Sequence, residues 1–300
     1  MKKILVTGGT VFVSKYVAEY FAIQGYDVYV LNRNTRSQCK GVTLIEADRS
    51  SLGAVLKGYH FDAVLDITSY TAKDVENLLN ALGSFEEYIF VSSSAVYPEY
   101  EVQPFKEETT LSENKYWGMY GTNKIEAEKV LMERVPNAYI LRPPYLYGPM
   151  NNVYREAFVF DCAMAGREFY LPKDGQMKLQ FFHVKDLCKV MEEILHKKPK
   201  MHVFNVGNKE AVTIHDWVNM CYRAAGAQLE VKNVYEESNI RNYFCFTDYE
   251  YMLDVIKQDE VLNDTITLEE GLKEAFLWYK DHQSEVNKKP YFEYIDEHLK

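Results

Sequence analysis

Paired cysteines, long apolar runs and histidines at metal-ligand spacing are what this sequence lacks, and each absence argues against a class of protein. Its 300 residues include five cysteines, an odd and scattered set without a Cys-x-x-Cys pair. This usage argues against a disulfide framework and is typical of reduced thiols in a cytoplasm. No apolar run approaches the about 20 residues of a membrane span. The histidines have no ligand-like spacing, so the sequence predicts neither membrane insertion nor a bound metal.

Positively charged residues are also fewer than negatively charged ones. Lys and Arg number 34 against 44 Asp and Glu, which gives a formal net charge of −10. A nucleic-acid surface needs a basic patch, so the charge balance argues against nucleic acid as a partner. A local basic pocket for an anionic small molecule stays open. The content of 47% hydrophobic and 26% charged residues is ordinary for a globular chain with a sizeable core.

Apolar segments of strand length alternate with helical segments through the first half of the chain. Short strands are predicted at residues 4–6, 27–31, 42–45, 63–67, 88–91 and 138–141. Helical spacing occurs between them, including a short helix at 52–56 and a long one at 115–135. This alternation predicts an α/β fold with a doubly wound parallel sheet.

After residue 142 the alternation becomes irregular, which predicts a second, smaller mixed α/β domain. We place the first domain at residues 1–165, with the segment at about 180–210 returning to it. The smaller domain and a C-terminal tail then occupy residues 166–300.

Tyr120 and Lys124 stand four residues apart in a predicted helix, so their side chains share one face. A phenol is a poor base at neutral pH because its pKa is about 10. An ammonium ion ~4 Å away is worth about 4 kcal/mol at an effective dielectric of about 20. That interaction lowers the phenol pKa by about 3 units. The pair can therefore move a proton to or from an alcohol or carbonyl oxygen, or it can be an ordinary surface pair.

A glycine-containing turn follows the first predicted strand. It lies where a pyrophosphate meets backbone N–H groups and the positive end of a helix. Its residues are Thr7, Gly8, Gly9, Thr10, Val11, Phe12 and Val13. Gly8 can supply the tight turn, whereas Val11 and Ser14 stand where the three-glycine fingerprint has its later glycines. Ser14 is small enough for close helix–strand packing. The segment can bind a dinucleotide or be a plain strand-to-helix turn.

The end of the second strand bears on the choice between NAD and NADP. An acid for the ribose 2′-hydroxyl is absent, and the segment contains Asn32, Arg33 and Arg36. The two arginines can hold a 2′-phosphate, which favours NADP, or they can be solvated loop residues. Asp48 follows the third strand, where it can accept from an adenine amino group or lie at a helix N-terminus.

Ser92, Ser93 and Ser94 follow the fifth predicted strand. Ligands bind outside the carboxyl ends of strands in parallel sheets. One of these hydroxyls can therefore hydrogen-bond a substrate oxygen while Tyr120 moves the proton. The alternative is a serine-rich loop.

Together these motifs resemble the extended short-chain dehydrogenase/reductases, the group that includes the nucleotide-sugar epimerases and dehydratases. The segments that carry the resemblance are Thr7–Thr10, Ser92–Tyr97, Tyr120–Lys124, Arg142–Pro149 and Phe182–Asp186. It covers about the first 190 residues well and the remainder loosely. It implies a dinucleotide-binding Rossmann domain followed by a substrate-binding domain.

The resemblance also implies roles for individual residues. Tyr120 matches the family's acid/base, and Lys124 matches its partner, which also holds the nicotinamide ribose. Ser93 matches the catalytic Ser or Thr, with Ser94 beside it. Asp48 matches the adenine contact. The family implies NAD or NADP as cofactor and commonly a homodimer, here through helices at 74–82 and 115–135.

Three departures from the family pattern concern the substrate. The 4,6-dehydratases have Asp-Glu where this chain has Ser94-Ala95, which makes dehydration a poor expectation. Leu179 replaces an arginine that binds the nucleotide diphosphate in the epimerases, and Tyr145 replaces an asparagine that touches substrate. Lys178 and Arg241 are candidates to substitute for the lost arginine, and Ser94 and Tyr145 are also expected to contact the substrate.

We therefore expect a cytoplasmic enzyme that transfers hydride at a secondary alcohol or ketone of a small molecule, with a nucleotide sugar as one substrate class. Epimerisation and net reduction both stay open. The alternatives are an NADPH-dependent carbonyl reductase for a non-sugar substrate, and a non-catalytic protein that senses NADP or binds RNA.

Overall fold

The structure is a computed structural model that describes residues 1–236 and 239–300. Its strands are β1 (Lys3–Thr7), β2 (Asp27–Asn32), β3 (Val42–Glu46), β4 (His60–Asp66), β5 (Ser84–Val91), β6 (Tyr139–Arg142), β7 (Tyr145–Tyr147), β8 (Phe169–Pro172), β9 (Lys178–Leu179), β10 (Phe181–His183), β11 (Val203–Asn205), β12 (Val212–Thr213) and β13 (Val231–Val234). The α-helices are α1 (Phe12–Ile23), α2 (Ala72–Ala81), α3 (Met119–Arg134), α4 (Glu156–Met164), α5 (Val184–Lys197), α6 (Ile214–Ala224), α7 (Leu268–His282) and α8 (Tyr291–His298).

A central sheet of seven parallel strands confirms the predicted fold class. The strand order is β11-β6-β5-β4-β1-β2-β3, and every neighbouring pair runs parallel. The order reverses between β1 and β4, and such a switch point opens a crevice at the carboxyl ends of the strands. The crevice lies between the turn after β1 and the loop after β4.

Helices cover both faces of this sheet. On one face α1 packs against α5, and Val17, Ala18 and Phe21 of α1 are fully buried. On the other face α2 packs against α3 over a second apolar layer. The strands are apolar on both sides because both sides are covered, which explains why they read as continuous apolar runs in the sequence.

Two helix predictions need correction. The long helix expected at 115–135 begins at Met119, because Gly118 has a φ of +50° and cannot continue a right-handed helix. Tyr120 therefore lies in its first turn. The short helix expected at 52–56 is irregular, with a 3-10 turn before it at Arg49–Ser51. Gly53, with a φ of +54°, interrupts that segment.

A second core lies beside the sheet and is rich in aromatic side chains. Helices α4, α6 and α7 pack together there, beside the paired strands β8 and β13. The later strand β11 lies in the central sheet, and α5 packs on α1. The boundary at residue 165 stays a prediction. Within the described residues, no helix is both long enough and apolar enough to cross a membrane.

Candidate active site

The turn between β1 and α1 is built on two glycines in left-handed backbone conformations. Gly8 has a φ of +92° and Gly9 a φ of +93°. A Cβ on Gly8 would lie 2.7 Å from Ser14 Oγ, and one on Gly9 would lie 2.6 Å from Val30 Cγ1. Both positions therefore require glycine for conformation and for space. Ser14 packs as closely on the turn as the sequence suggested, and its hydroxyl donates to the Val11 carbonyl at 2.9 Å.

Two cavities flank this turn at the carboxyl edge of the sheet. The first cavity, of about 580 Å³, is lined by Val11, Phe12, Val13, Thr68, Ser92, Ser93, Ser94, Tyr120, Lys124, Tyr145 and Arg155, among others. The second cavity, of about 470 Å³, is lined by Thr7, Gly8, Asn32, Arg33, Asp48, Arg49 and Thr68, among others. Thr68 borders both, so the two form one cleft that passes the glycine turn. The candidate residues Gly9 and Thr10 are not among the lining residues of either cavity.

The second cavity brings together most of the residues expected to contact an adenosine. Asn32 donates its amide to the Gly8 carbonyl at 2.7 Å and so fixes the end of β2 against the turn. Arg33 lines the cavity, but the exposed Arg36 does not. Asp48 accepts from the backbone and hydroxyl of Ser50 at 2.8 and 2.6 Å, and these hydrogen bonds lower the pKa of its carboxyl.

Arg49 is a cavity residue that the sequence analysis missed. Its guanidinium donates to the Thr68 carbonyl, and its Nε lies 3.6 Å from Asp74 Oδ1. It thereby connects the 3-10 turn after β3 with the loop after β4. Its position directly after Asp48 was the available signal in the sequence.

Ser93 and Tyr120 meet on the wall of the first cavity. Ser93 precedes a 3-10 turn after β5 and accepts from the backbone N–H of Ala95 at 3.2 Å. Its hydroxyl and the phenol of Tyr120 both line this cavity. Desolvation raises the pKa of Tyr120, although 43% of the residue is exposed, whereas its interactions with Ser93 and with the cation of Arg155 lower that pKa. The phenol is therefore protonated at neutral pH.

Lys124 is hydrogen-bonded to two backbone carbonyls rather than to the phenol, which corrects the expected ammonium–phenol interaction. Its Nζ donates to the carbonyl oxygens of Ser69 at 2.7 Å and Val91 at 2.8 Å. The ammonium also lies 4.9 Å from the ring centre of Tyr70 and 4.6 Å from that of Phe90. The side chain is 1% exposed, and burial lowers its pKa to about 8. Shared helix spacing gave the two residues one face, but the buried carbonyls determine where the ammonium points.

A buried ion pair supports the floor of the site. Glu128, one turn after Lys124, pairs with Arg142 at 2.6 Å and accepts from the hydroxyl of Ser92. Arg142 also donates to the phenol oxygen of Tyr97 at 2.8 Å. This network connects α3 with the ends of β5 and β6. The sequence analysis missed Glu128, although its i+4 spacing from Lys124 was a usable signal.

The residues proposed for the substrate separate into two groups. Ser94 and Tyr145 line the first cavity, and so does Tyr251. Lys178 is exposed on β9 and is not among the lining residues of the first or second cavity. Strand alternation buries Leu179 and turns Lys178 outward, so the structure does not bring Lys178 together with the other candidates, and its substrate role stays a prediction.

Arg241 lines a third cavity of about 130 Å³ that adjoins the first. The two cavities share Trp117, Tyr145, Val153 and Arg155 as lining residues. Lys289 also lines the third cavity. Arg155 and Lys289 were missed by the sequence analysis, because nothing local in the sequence marks them as neighbours of Arg241.

Comparison with known proteins gives this arrangement a family. A family model described as the NAD dependent epimerase/dehydratase family matches residues 4–207. The chloroplast stem-loop binding protein of 41 kDa b of Arabidopsis thaliana is 28% identical over 301 residues, covering 92% of this chain and 78% of that protein.

An Arabidopsis thaliana trifunctional UDP-glucose 4,6-dehydratase/UDP-4-keto-6-deoxy-D-glucose 3,5-epimerase/UDP-4-keto-L-rhamnose-reductase is 24% identical over 327 residues, which cover 93% of this chain. The alignment covers 47% of that enzyme, so the chain spans about half its length. The crystal structure of dTDP-glucose 4,6-dehydratase from Bacillus anthracis in complex with NAD shares the fold, with a TM-score of 0.76 and 19% identity. That comparison covers 95% of this chain and 99% of the dehydratase.

The family model spans the glycine turn, the strand-end serines, the Tyr120–Lys124 helix and β11, which confirms the resemblance drawn from the motifs. This chain belongs to the NAD-dependent epimerase/dehydratase family.

Proposed function

We propose that this protein transfers hydride at a secondary alcohol or ketone, with Tyr120 moving the hydroxyl proton. The placement of Ser93 and Tyr120 together on the wall of a cavity that passes the glycine turn carries this proposal. An alcohol oxygen placed between these two hydroxyls can be oriented by Ser93 and can exchange its proton with Tyr120. Bound NAD would supply the hydride acceptor and donor in the same cleft.

The protonated phenol suits donation to a carbonyl oxygen. In that direction the carbonyl carbon receives hydride, its oxygen receives the Tyr120 proton, and a secondary alcohol forms. In the reverse direction the phenolate must accept the alcohol proton. Ser93 and the cation of Arg155 both lower the pKa of Tyr120 and so favour that state. Lys124 lines the first cavity and remains the candidate contact for the nicotinamide ribose.

We infer NAD as the cofactor. The second cavity fits an adenosine, because Gly8 allows close backbone approach and Asp48 stands at its edge. NADP was expected from two arginines, yet only Arg33 lines the cavity. The dehydratase of the same fold from Bacillus anthracis has NAD bound, which favours the same inference.

Epimerisation or net reduction fits the first cavity better than dehydration. Elimination of water needs an acid and a base beside the reacting carbons. Among the described residues, the lining of this cavity contains no Asp, Glu or His. Ser94 and Ala95 occupy the positions where the resemblance implies Asp-Glu in dehydratases.

The third cavity favours a substrate with an acidic group. Arg155, Arg241 and Lys289 contribute three cations, and no carboxylate lines this cavity within the described part of the chain. Arginine forks and lysine ammonium groups bind phosphate and carboxylate oxygens. The two adjoining cavities thus favour, as substrate, a sugar that carries a phosphate or diphosphate and has its reacting carbon near Tyr120.

The test replaces Tyr120 by Phe, which removes the hydroxyl and keeps the ring. Turnover of phosphorylated and UDP-linked sugars is followed as nicotinamide absorbance for net oxidation or reduction, and by chromatographic separation of the sugars for epimerisation, which leaves that absorbance unchanged. Loss of the proton donor should reduce turnover by about 10²–10⁴-fold. Calorimetric titration should show NAD bound as tightly as in the unaltered protein, and more tightly than NADP.

Tyr116→Phe is the matched control, because Tyr116 lines the same cavity and its ring stacks on Tyr249 with centres 4.3 Å apart. Its turnover should be unchanged. Turnover within a few-fold in Tyr120→Phe would remove the catalytic assignment. Failure to bind either dinucleotide, together with retention of an RNA stem-loop in a gel-shift assay, would favour the non-catalytic alternative.

A further inference from the structure

A group of three potential metal ligands lies at the amino-terminal edge of the central sheet. His60 and Asp62 belong to β4, and Glu86 belongs to β5. One ligand atom from each residue lies within 4.8 Å of the other two. The cavities described above lie at the carboxyl ends of these same strands. At about 3.3 Å per residue, the seven residues of β4 separate the two edges by about 20 Å.

The sheet brings these side chains together. His60 lies opposite Ser84 in the parallel pairing of β4 with β5, and His60 and Asp62 are two residues apart, so they point to one side. Glu86 stands two residues after Ser84 in the same way. The ligand set is therefore held by two adjacent strands rather than by a loop.

Two of the three groups are already oriented by neighbours that a metal would not displace. The Nδ1 of His60 lies 2.8 Å from Ser84 Oγ, which leaves Nε2 facing Glu86 Oε1 at 4.0 Å. One oxygen of Asp62 accepts from the backbone N–H of Lys3 at 2.6 Å, which leaves its other oxygen free. Such outer hydrogen bonds fix ligand orientation in metal sites.

We propose that His60, Asp62 and Glu86 bind one divalent transition-metal ion such as Zn²⁺ or Co²⁺, with water completing the coordination. An imidazole nitrogen with two carboxylate oxygens suits these ions, whereas Mg²⁺ and Ca²⁺ prefer oxygen ligands alone. Bonds of about 2.0–2.2 Å require the ligand atoms to approach by about 1 Å. The side chains of His60 and Glu86 are 58% and 54% exposed, so they have the freedom to do so.

Local charge is compatible with a bound cation. Lys2 and Lys198 line the narrow groove beside Asp62 and Glu86. Lys198 is committed elsewhere, since its Nζ pairs with Glu87 Oε1 at 2.7 Å. The two carboxylates of the site then offset the charge of one divalent ion.

The experiment is a calorimetric titration of the untagged full chain with Co²⁺ and Zn²⁺. A Cys39→Ser background removes the cysteine that is not fully buried. We expect one equivalent of metal to bind and to raise the unfolding temperature, because the ion binds only the folded chain. His60→Ala, Asp62→Asn and Glu86→Gln should each weaken binding at least about tenfold, the usual scale for loss of a metal-site group.

His215→Ala is the matched control. His215 is also an exposed histidine beside a carboxylate, with its Nδ1 3.7 Å from Asp216 Oδ1, but the described residues provide no third ligand there. That variant should bind like the unaltered chain. No binding at millimolar metal, or equal affinity in His60→Ala confirmed as folded by circular dichroism, would overturn the proposal. Neither result bears on Tyr120, because the two sites lie at opposite edges of the sheet.

Discussion

At the scale of single residues, the most consequential feature is the burial of the Lys124 ammonium. It is held between two aromatic rings by the carbonyl of Val91 at the end of β5 and that of Ser69 in the loop after β4, with Asp66 and Glu128 as the main contributors of negative charge. Those interactions do not fully offset desolvation, so the pKa of Lys124 is lowered to about 8. A lysine in this state keeps its proton at neutral pH but carries a cost in folding free energy.

That cost should be visible in the pH dependence of stability. The unfolded chain keeps the Lys124 proton up to about 10.5, whereas the folded chain releases it near 8. Between these two pH values the unfolded state therefore binds more protons than the folded state. The contribution of Lys124 to the free energy of unfolding thus rises with pH. Relative to Lys124→Met, the unaltered protein should gain up to about 3 kcal/mol between pH 7 and 10. Urea unfolding at both pH values measures the difference, and a constant difference would contradict the lowered pKa.

At the scale of elements, the turn from β1 into α1 determines where a dinucleotide can approach. Gly8 and Gly9 adopt conformations that other residues avoid, and neighbouring side chains fill the space where a Cβ would lie. The later fingerprint positions differ: Val11 lines the first cavity and Ser14 packs against Gly8. The incomplete glycine motif therefore still builds a close-packed turn.

Gly9→Ala tests this turn. Its Cβ would meet the Val30 side chain at 2.6 Å with φ at +93°, so we expect a loss of about 2–4 kcal/mol in unfolding free energy. Affinity for NAD should fall as the turn shifts. Gly53→Ala is the control, because its φ is +54° but nothing lies within 4 Å of the added Cβ. It should cost about 1 kcal/mol and leave NAD affinity unchanged. Equal losses of unfolding free energy in the two variants would show that backbone strain at positive φ, and not the contact with Val30, accounts for the effect.

At the scale of the whole molecule, the third cavity is assembled from segments far apart in the chain. Arg155 directly precedes α4, Arg241 lies in a 3-10 turn, and Lys289 precedes α8. Arg155 also stacks its guanidinium 4.9 Å from the ring centre of Tyr145, which connects the two cavities. An acidic group in the third cavity would position a substrate whose other end reaches Tyr120.

Arg241→Met and Lys289→Met should each raise the KM for an anionic sugar by about 10- to 100-fold, the scale of one charged hydrogen bond. NAD affinity should be unchanged in both. Lys178→Met is the control, since that lysine is exposed and lies outside the described cavities. Steady-state kinetics with the substrate found for the unaltered protein measures these values. A KM effect confined to Lys178→Met would reverse the assignment.

Assembly and location belong to this scale too. The homodimer through α2 and α3, the absence of a nucleic-acid partner and the cytoplasmic location all stay predictions. Most of the apolar side chains of α2 and α3 that the structure describes lie inside the second apolar layer, between these helices and the sheet.

The sequence by itself determined what depends on neighbouring residues. Strand-length apolar runs, the glycine turn and the strand-end serines are local patterns, and they were sufficient for the parallel sheet, the cleft and the meeting of Ser93 with Tyr120. Tertiary structure decided what depends on distant partners. The direction of the Lys124 ammonium follows from carbonyls at Ser69 and Val91. The third cavity, with its three cations, and the His60, Asp62 and Glu86 group form only when separate segments pack side by side. Spacing along the chain does not encode such contacts.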